Sequence, residues 1–312
     1  MPCELLVLVE LTPDTTARFV AEGFALHVAT TPAERAAKIA DPAAHIRAVL
    51  TNGTLGLSAD EIAALPQLEI VCALGAGYEN IDVAAARARG IVVTNGAGTN
   101  DVTVADHAMA LLLAVARGIP QADACVRQGD FGRSSYRQPM IFGKKLGILG
   151  LGQIGMQIAR RAHLGFDMPV GYHTRTMRSD ISYLYHPTPE ALAEWADFLV
   201  VATPGGGATR HLVDASVLKA LGPGGYMVNI ARGSVVDTAA LIDALKADTI
   251  AGAALDVVEG EPDVPAALVA LSNVIFTPHV AGRSPEAIAA TAALALKNLA
   301  AHFSGKPVPT AV

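Results

Sequence analysis

One short stretch constrains this chain more than any other. Lys145-Leu-Gly-Ile-Leu149 is an apolar strand that runs directly into Gly150-x-Gly152-x-x-Gly155. Strand, tight turn and helix start, in that order, are what a dinucleotide pyrophosphate requires. Gly150 makes the turn, Gly152 lets backbone approach phosphate, and Gly155 lets the helix pack close on the strand. The free N–H groups and positive end of that helix then hold the anion. Gln153 and Ile154 open the helix and join the glycines as expected cofactor contacts. About 145 residues precede the turn, so something else is built first.

That first part alternates strand and helix patterns. Apolar runs at residues 4–9, 25–29, 46–50, 68–74 and 91–94 read as strands. Ser58-Ala-Asp-Glu61 reads as a capping box opening a helix that ends near Pro66. Asn100-Asp101 caps a long helix over 102–117, whose face is Val104, Ala108, Leu111, Leu112 and Val115. Leu113 and Ala114 carry apolar surface almost all the way round, so the helix is deeply buried or shared with a second subunit, and a homodimer is expected. Residues 118–143 read as a connecting stretch with weak periodicity. A second alternating series follows, with strands at 146–149, 170–173, 198–202, 226–229, 252–255 and 274–277, a helix at 237–246 and a last helix at 284–303.

Strands alternating with helices predict parallel sheets covered on both faces. The fold class is α/β, with two Rossmann-like or flavodoxin-like parallel-sheet domains. A dinucleotide domain over 99–285 leaves the last helix over. That helix is expected to return to the first domain, giving a discontinuous substrate domain of 1–98 and 286–312 with the cofactor domain inserted in it. The cleft between domains is the expected substrate site.

Composition narrows the partners. The net charge is −6 with no block of like charges, which disfavours nucleic acid and anionic membrane. The longest apolar helix candidate is too short to span a bilayer, and the N-terminus has no basic region before a long apolar stretch. A cytoplasmic protein is expected. Cys3, Cys72 and Cys125 are too few and scattered for a disulfide framework, and read as reduced thiols in or near cores. No metal centre is expected.

The strand at 170–173 narrows the cofactor. An NAD site usually ends this strand in an acid that bonds the ribose 2′-hydroxyl. Here it ends His173-Thr174-Arg175, followed by Thr176 and Arg178, with no carboxylate until Asp180. An arginine fork and a hydroxyl welcome a 2′-phosphate, so NADP(H) is expected over NAD(H), with NAD(H) use possible. The competing reading makes Arg175 and Arg178 solvated loop charges.

Three stretches carry the chemistry: Asn229-Ile-Ala-Arg232-Gly233, Leu255-Asp256-Val-Val-Glu-Gly-Glu261-Pro262 and Thr277-Pro-His279-Val-Ala-Gly282. Each follows a predicted strand, and in a parallel sheet those ends border the ligand crevice. Singly, each polar residue has an ordinary explanation: a structural histidine, a surface arginine, solvated Glu259 and Glu261, a turn-capping Asp256. Together behind a cofactor turn they fit hydride transfer to a 2-keto acid. A histidine suits the proton donor, and a neighbouring carboxylate stabilises the imidazolium. A guanidinium binds carboxylate and keto oxygen. Asp256 would accept from the nicotinamide amide. Gly75-Ala76-Gly77, after a buried strand, offers backbone N–H groups for the substrate carboxylate, or is a tight turn with no ligand.

The ordered set resembles the D-2-hydroxyacid dehydrogenases, in particular their glyoxylate/hydroxypyruvate reductase branch. The resemblance runs from Gly75-Ala-Gly-Tyr-Glu-Asn-Ile-Asp82 through Val104-Ala-Asp-His-Ala108, the Gly150–Gly155 turn, Ala231-Arg-Gly233 and Ala254-Leu-Asp-Val to Pro278-His279. It implies that Arg232 binds substrate, Glu261 supports the histidine and His279 is the acid/base. It further implies that Ala76 and Gly77 hold the carboxylate, that Asp256 and the Ile230 carbonyl hold the carboxamide, and that Thr174 and Arg175 meet the 2′-phosphate. Val104, Thr203, Pro204 and Gly282 are carried over as cofactor contacts, and a homodimer through the cofactor domain is implied. Two departures stand out. Thr203-Pro-Gly-Gly-Gly207 is unusually Gly-rich, and Gly132-Arg-Ser-Ser-Tyr136 lacks a tryptophan common in the family, which leaves substrate size open. The expected reaction is NADPH-dependent reduction of glyoxylate, hydroxypyruvate or a near relative to the D-2-hydroxy acid. A larger substrate, such as an aryl pyruvate or 2-ketogluconate, stays open, as does a dinucleotide-sensing scaffold without turnover.

Overall fold

The computed structural model describes residues 3–41, 44–132 and 137–312. Two compact units form, one from Met1–Asn100 with Gly282–Val312 and the other from Asp101–Ala281.

The first unit runs β1 (Cys3–Val7), α1 (Pro13–Ala21), β2 (Phe24–Val28), α2 (Pro32–Ile39), β3 (Ala48–Thr51), α3 (Ala59–Ala64), β4 (Ile70–Ala73), α4 (Val83–Ala88) and β5 (Val92–Thr94). The sheet order is β2-β1-β3-β4-β5 with every pairing parallel, the flavodoxin-like order. β3 and β4 are buried at all their residues, as short unbroken apolar runs in a covered sheet must be. The Ser58–Glu61 capping box starts α3, and a second one, Thr31–Glu34, starts α2. After the second unit the chain returns. Ser284 caps α12 (Pro285–Phe303), whose Ala292, Ala295 and Leu299 bury with Leu5, Val7, Phe19 and Cys72.

The second unit runs α5 (Asp101–Ala116), α6 (Ile119–Arg127), β6 (Leu146–Leu149), α7 (Gln153–Phe166), β7 (Val170–His173), β8 (Leu184–Tyr185), α8 (Pro189–Trp195), β9 (Phe198–Val201), α9 (Ala215–Leu221), β10 (Tyr226–Asn229), α10 (Thr238–Lys246), β11 (Gly252–Leu255), α11 (Ala266–Val269) and β12 (Val274–Phe276). Its sheet order is β12-β11-β10-β9-β6-β7-β8, again all parallel. The chain steps from β6 to β7 on one side and then to β9 on the other. This reversal beside β6 is the switch point at which doubly wound sheets bind ligands, at the carboxyl ends of the strands.

Several expectations need correcting. Residues 118–143 are not all connection, because α6 occupies Ile119–Arg127. Ile119, Ala122, Cys125 and Val126 recur along it at helical spacing, yet none of its residues is buried. Its marks are Pro120 in the first turn and the left-handed Gly118 before it. β8 has two residues, too short to show a period. Asp101 is the first residue of α5, not its cap. Cys125 is exposed on α6, while Cys72 is buried, with its thiol pushed up to about 12 by desolvation. Gly132 is described, but residues 133–136, on which the missing tryptophan bears, lie outside the described residues. No single helix among the described residues is long and apolar enough to cross a bilayer. α5 and α6 pass that test only as a pair bent by 60°.

Candidate active site

The Gly-rich turn is built as backbone approach requires. Gly150 has φ +94, and a Cβ on it would lie 2.7 Å from the Ala202 carbonyl oxygen. A Cβ at Gly155 would lie 2.3 Å from the Gly150 carbonyl oxygen, so the first turn of α7 packs directly on the loop. Nothing stands within 4 Å of the corresponding point at Gly152. Gly152 is also the N-cap of α7 and gives it no side-chain cap, so the N–H groups of the first turn, including those of Gln153 and Ile154, are open to an anion. The Thr203 hydroxyl, just past the end of the neighbouring β9, is buried with no hydrogen-bond partner among the described residues. An unfilled helix start, an open glycine and an orphaned hydroxyl on adjacent strand ends fit a dinucleotide pyrophosphate.

At the end of β7 the Thr174 hydroxyl donates to the Thr176 carbonyl at 2.7 Å. Arg175 is exposed with no ion-pair partner among the described residues. Arg178, by contrast, is paired with Asp180 and donates to the Leu151 carbonyl at 2.8 Å. The sequence treats the two arginines alike, and the structure separates them.

The three catalytic candidates sit at the carboxyl ends of β10, β11 and β12. His279 Nδ1 lies 2.6 Å from Glu261 Oε1. With Nδ1 directed at the carboxylate, Nε2 is the ring nitrogen left for exchange with a substrate. Glu261 Oε2 also accepts from the Val258 N–H at 3.3 Å. Burial pushes the Glu261 carboxyl up. The hydrogen bond and charge of His279, the Val258 N–H and the Arg232 charge outweigh that and hold it below the usual carboxylate value. Glu261 is therefore ionised at neutral pH. Glu259, two residues earlier, is taken by Arg210 at 2.8 Å and His211 at 3.0 Å, so geometry distinguishes two acids that spacing alone left equivalent.

Backbone contacts hold these groups in place. His279 has φ +53, a left-handed conformation uncommon outside glycine and asparagine. Its N–H donates to the Asp256 carbonyl at 2.8 Å. Asp256, 2% exposed, accepts from the Val280 N–H at 2.9 Å, the Ala281 N–H at 3.0 Å and the Thr277 hydroxyl at 2.6 Å. Its carboxylate thus latches the His279 turn, the capping role that competed with carboxamide binding. His107 of α5 adds a fourth polar neighbour, 2.9 Å from the Thr277 hydroxyl. Around Arg232, the buried Asn229 side chain bonds the Ala231 N–H at 3.0 Å and the Arg232 carbonyl at 3.1 Å. A Cβ at Gly233 would lie 2.1 Å from the Val258 carbonyl carbon, and one at Gly205 2.8 Å from Arg232 Cγ. The Gly-rich 203–207 loop therefore lies against Arg232. Asn229, Gly205, Gly233, Thr277 and His107 are supporting residues that residue-type reasoning passed over.

Val104 is in the core of the second unit with Ile148, Leu151 and Ile230. Pro204 is exposed, and its carbonyl accepts from the Thr209 hydroxyl at 2.7 Å. Gly282, in the first unit, is tight against Asn100. Ala76 and Gly77 are also in the first unit. There the Asn95 amide holds the Ala76 carbonyl at 2.9 Å, and Gly77 is in close approach to Gly53.

The sequence model of the D-isomer specific 2-hydroxyacid dehydrogenase NAD binding domain matches residues 109–281. Glyoxylate/hydroxypyruvate reductase A of Arabidopsis thaliana is 44% identical over 86% of this chain and 85% of its own length. Hydroxyphenylpyruvate reductase of Plectranthus scutellarioides is 41% identical over 91% of this chain and 90% of its own. Among solved structures, the NADPH-dependent glyoxylate/hydroxypyruvate reductase of Sinorhizobium meliloti, in complex with NADP and malonate, superposes with a TM-score of 0.92. It is 40% identical, and the match covers 100% of this chain and 97% of that one.

Proposed function

We propose that this chain, which belongs to the D-isomer specific 2-hydroxyacid dehydrogenase family, reduces a small 2-keto acid of the glyoxylate/hydroxypyruvate class to the D-2-hydroxy acid with NADPH. The observation that carries the reading is the 2.6 Å Glu261–His279 pair at the strand edge that also bears the open helix start of the Gly-rich turn. Two of the three relatives named above are glyoxylate/hydroxypyruvate reductases, and the third is a hydroxyphenylpyruvate reductase.

The residues divide the work as follows. Gly150, Gly152, Gly155 and the N–H groups of Gln153 and Ile154 hold the pyrophosphate, Arg175 with the Thr174 hydroxyl holds the 2′-phosphate, and the Ile230 carbonyl accepts from the carboxamide. The bound dinucleotide supplies the hydride. Arg232 binds the keto acid and polarises its carbonyl. His279 Nε2 gives its proton to the carbonyl oxygen as negative charge develops there, and ionised Glu261 stabilises the imidazolium and fixes the ring. In the first unit, the Ala76 and Gly77 N–H groups are assigned to the substrate carboxylate.

Turnover of glyoxylate, hydroxypyruvate, an aryl pyruvate and 2-ketogluconate with NADPH and NADH tests the proposal. Highest kcat/KM on the two small acids with NADPH is expected. No turnover of any would defeat it, and a preference for a larger acid would reassign the substrate. Arg175→Ala is expected to raise the NADPH Kd roughly tenfold or more, the scale of a hydrogen bond to a charged group, and to leave NADH binding nearly unchanged. Equal weakening of both would remove the 2′-phosphate role.

A homodimer through the second unit is part of the proposal. On that unit, a hollow of about 700 Å³ has an apolar floor of Met109, Ala110, Leu113, Leu164 and Phe166 with Asp106, Gln157, Arg160 and Arg161 beside it, and Leu164 is 75% exposed. Apolar surface of that kind calls for a partner. Light scattering is expected to give twice the chain mass, and Leu164→Asp to lower it toward the monomer. A monomeric wild type would exclude the dimer.

A further inference from the structure

The loop after β7 contains a second cation, and it is held differently from Arg175. The backbone N–H of Arg178 donates at 2.9 Å to the hydroxyl of Tyr172, whose side chain is buried. Its Nη1 donates to the carbonyl of Leu151, inside the Gly-rich turn, at 2.8 Å. Its Nε donates to Asp180 Oδ1 at 3.0 Å, and its Nη2 donates to Asp180 Oδ2. A guanidinium carries five N–H groups. Two are forked onto Asp180 and one is on Leu151, which leaves two. The fork toward Asp180 is the same planar edge that recognises phosphate in two-point fashion. Asp180 is also the first carboxylate after β7, seven positions beyond the strand end at His173, where a nucleotide-binding sheet ordinarily presents its ribose-binding acid.

We propose that Asp180 is a specificity-determining residue of this loop, which restrains the preference for a 2′-phosphate by occupying the phosphate-binding edge of Arg178 and keeps the unphosphorylated dinucleotide usable. The proposal rests on the 2′-phosphate reading given above and deepens it. The physical grounds are two. The pair is solvent-facing, with side-chain exposures of 33% and 63%, so it is weak enough for Arg178 to be re-engaged by a dianion. The Asp180 charge stays beside that dianion and opposes it. When Asp180 is neutralised, Arg178 does not swing free, because the Tyr172 hydroxyl and the Leu151 carbonyl still hold it over the turn. The freed edge is then available to phosphate.

Calorimetric titration of the purified protein with 2′,5′-ADP, 5′-AMP, NADPH and NADH, without turnover, tests this. Asp180→Asn is expected to tighten 2′,5′-ADP and NADPH roughly three- to tenfold at low salt, as one neighbouring charge does at partly screened range. Binding of 5′-AMP and NADH does not tighten. Arg178→Ala in the Asp180→Asn background is expected to abolish the gain. If Asp180→Asn leaves 2′,5′-ADP binding unchanged or weakens it, Asp180 does not restrain Arg178 and the proposal falls, while wild-type preference for 2′,5′-ADP over 5′-AMP keeps the NADPH reading intact. If the wild type shows no such preference, both fall.

Discussion

His279→Ala lowers kcat for keto-acid reduction by roughly 10²- to 10⁴-fold, the range that a positioned general acid contributes, and leaves the NADPH Kd near the wild-type value. The split follows from what holds the turn. The backbone around position 279 is fixed by the Asp256 carbonyl and carboxylate, which bond the N–H groups of residues 279, 280 and 281, and not by the imidazole. Removing the ring therefore removes the proton donor without unlatching the loop. The proposed pyrophosphate cradle stands on other strands, β6 and β9. Because residue 279 has φ +53, His279→Asn is the cleaner control, since asparagine tolerates that conformation better than alanine. Both variants are expected to lose turnover alike, as measured by steady-state kinetics beside a fluorescence titration of NADPH. Near-normal kcat in either would remove His279 from the chemistry. In both, Glu261 loses the hydrogen bond and charge of His279, and its carboxyl moves up.

Most strands of both sheets were legible because each is a short apolar run closed by glycine, proline or a polar turn, while the two-residue β8 was not. Strand order was not legible, since period and length carry no information about neighbours. The placement of Arg232, Glu261 and His279 beyond β10, β11 and β12 followed from strand ends alone. Their support did not. Glu259 and Glu261 are two positions apart on one loop; residue type left them equivalent, the resemblance favoured Glu261, and the structure pairs Arg210 and His211 with the first and His279 with the second. Asp256 drew notice for its charge, while its three accepted hydrogen bonds depend on how the chain folds back at 277–281. Arg178 resembled Arg175 in sequence, but Tyr172, Leu151 and Asp180 converge on it from 6, 27 and 2 residues away. Helix α6 is short, and the period of Ile119, Ala122, Cys125 and Val126 sits among polar residues in a nine-residue stretch that buries none of them, so it read as connection.

The glycine beside Arg232, the proposed substrate-binding residue, has the second large effect. Gly233→Ala is expected to lower kcat/KM by about 10²-fold or more, the cost of misplacing reacting groups by an ångström, although residue 233 offers no chemistry. The added Cβ would lie 2.1 Å from the Val258 carbonyl carbon, 2.2 Å from its oxygen and 2.3 Å from the Glu259 nitrogen. All three are backbone atoms, so a side chain cannot rotate away to make room. Either the Arg232 turn or the 258–261 loop must move. The first carries the guanidinium proposed to bind substrate and the second carries Glu261, so the distance between the arginine and the Glu261–His279 pair is expected to change in both cases. Overpacking of this kind also costs about 1–3 kcal/mol of stability, visible as a lowered Tm. NADPH binding reports on the Gly150–Gly155 turn, which Gly233 does not touch, and should stay within a few-fold of wild type. Loss of kcat/KM with NADPH affinity retained would show that Gly233 sets the spacing of the site. Unchanged kinetics would mean that the two loops part without disturbing Arg232 or Glu261, and that the close approach serves packing alone.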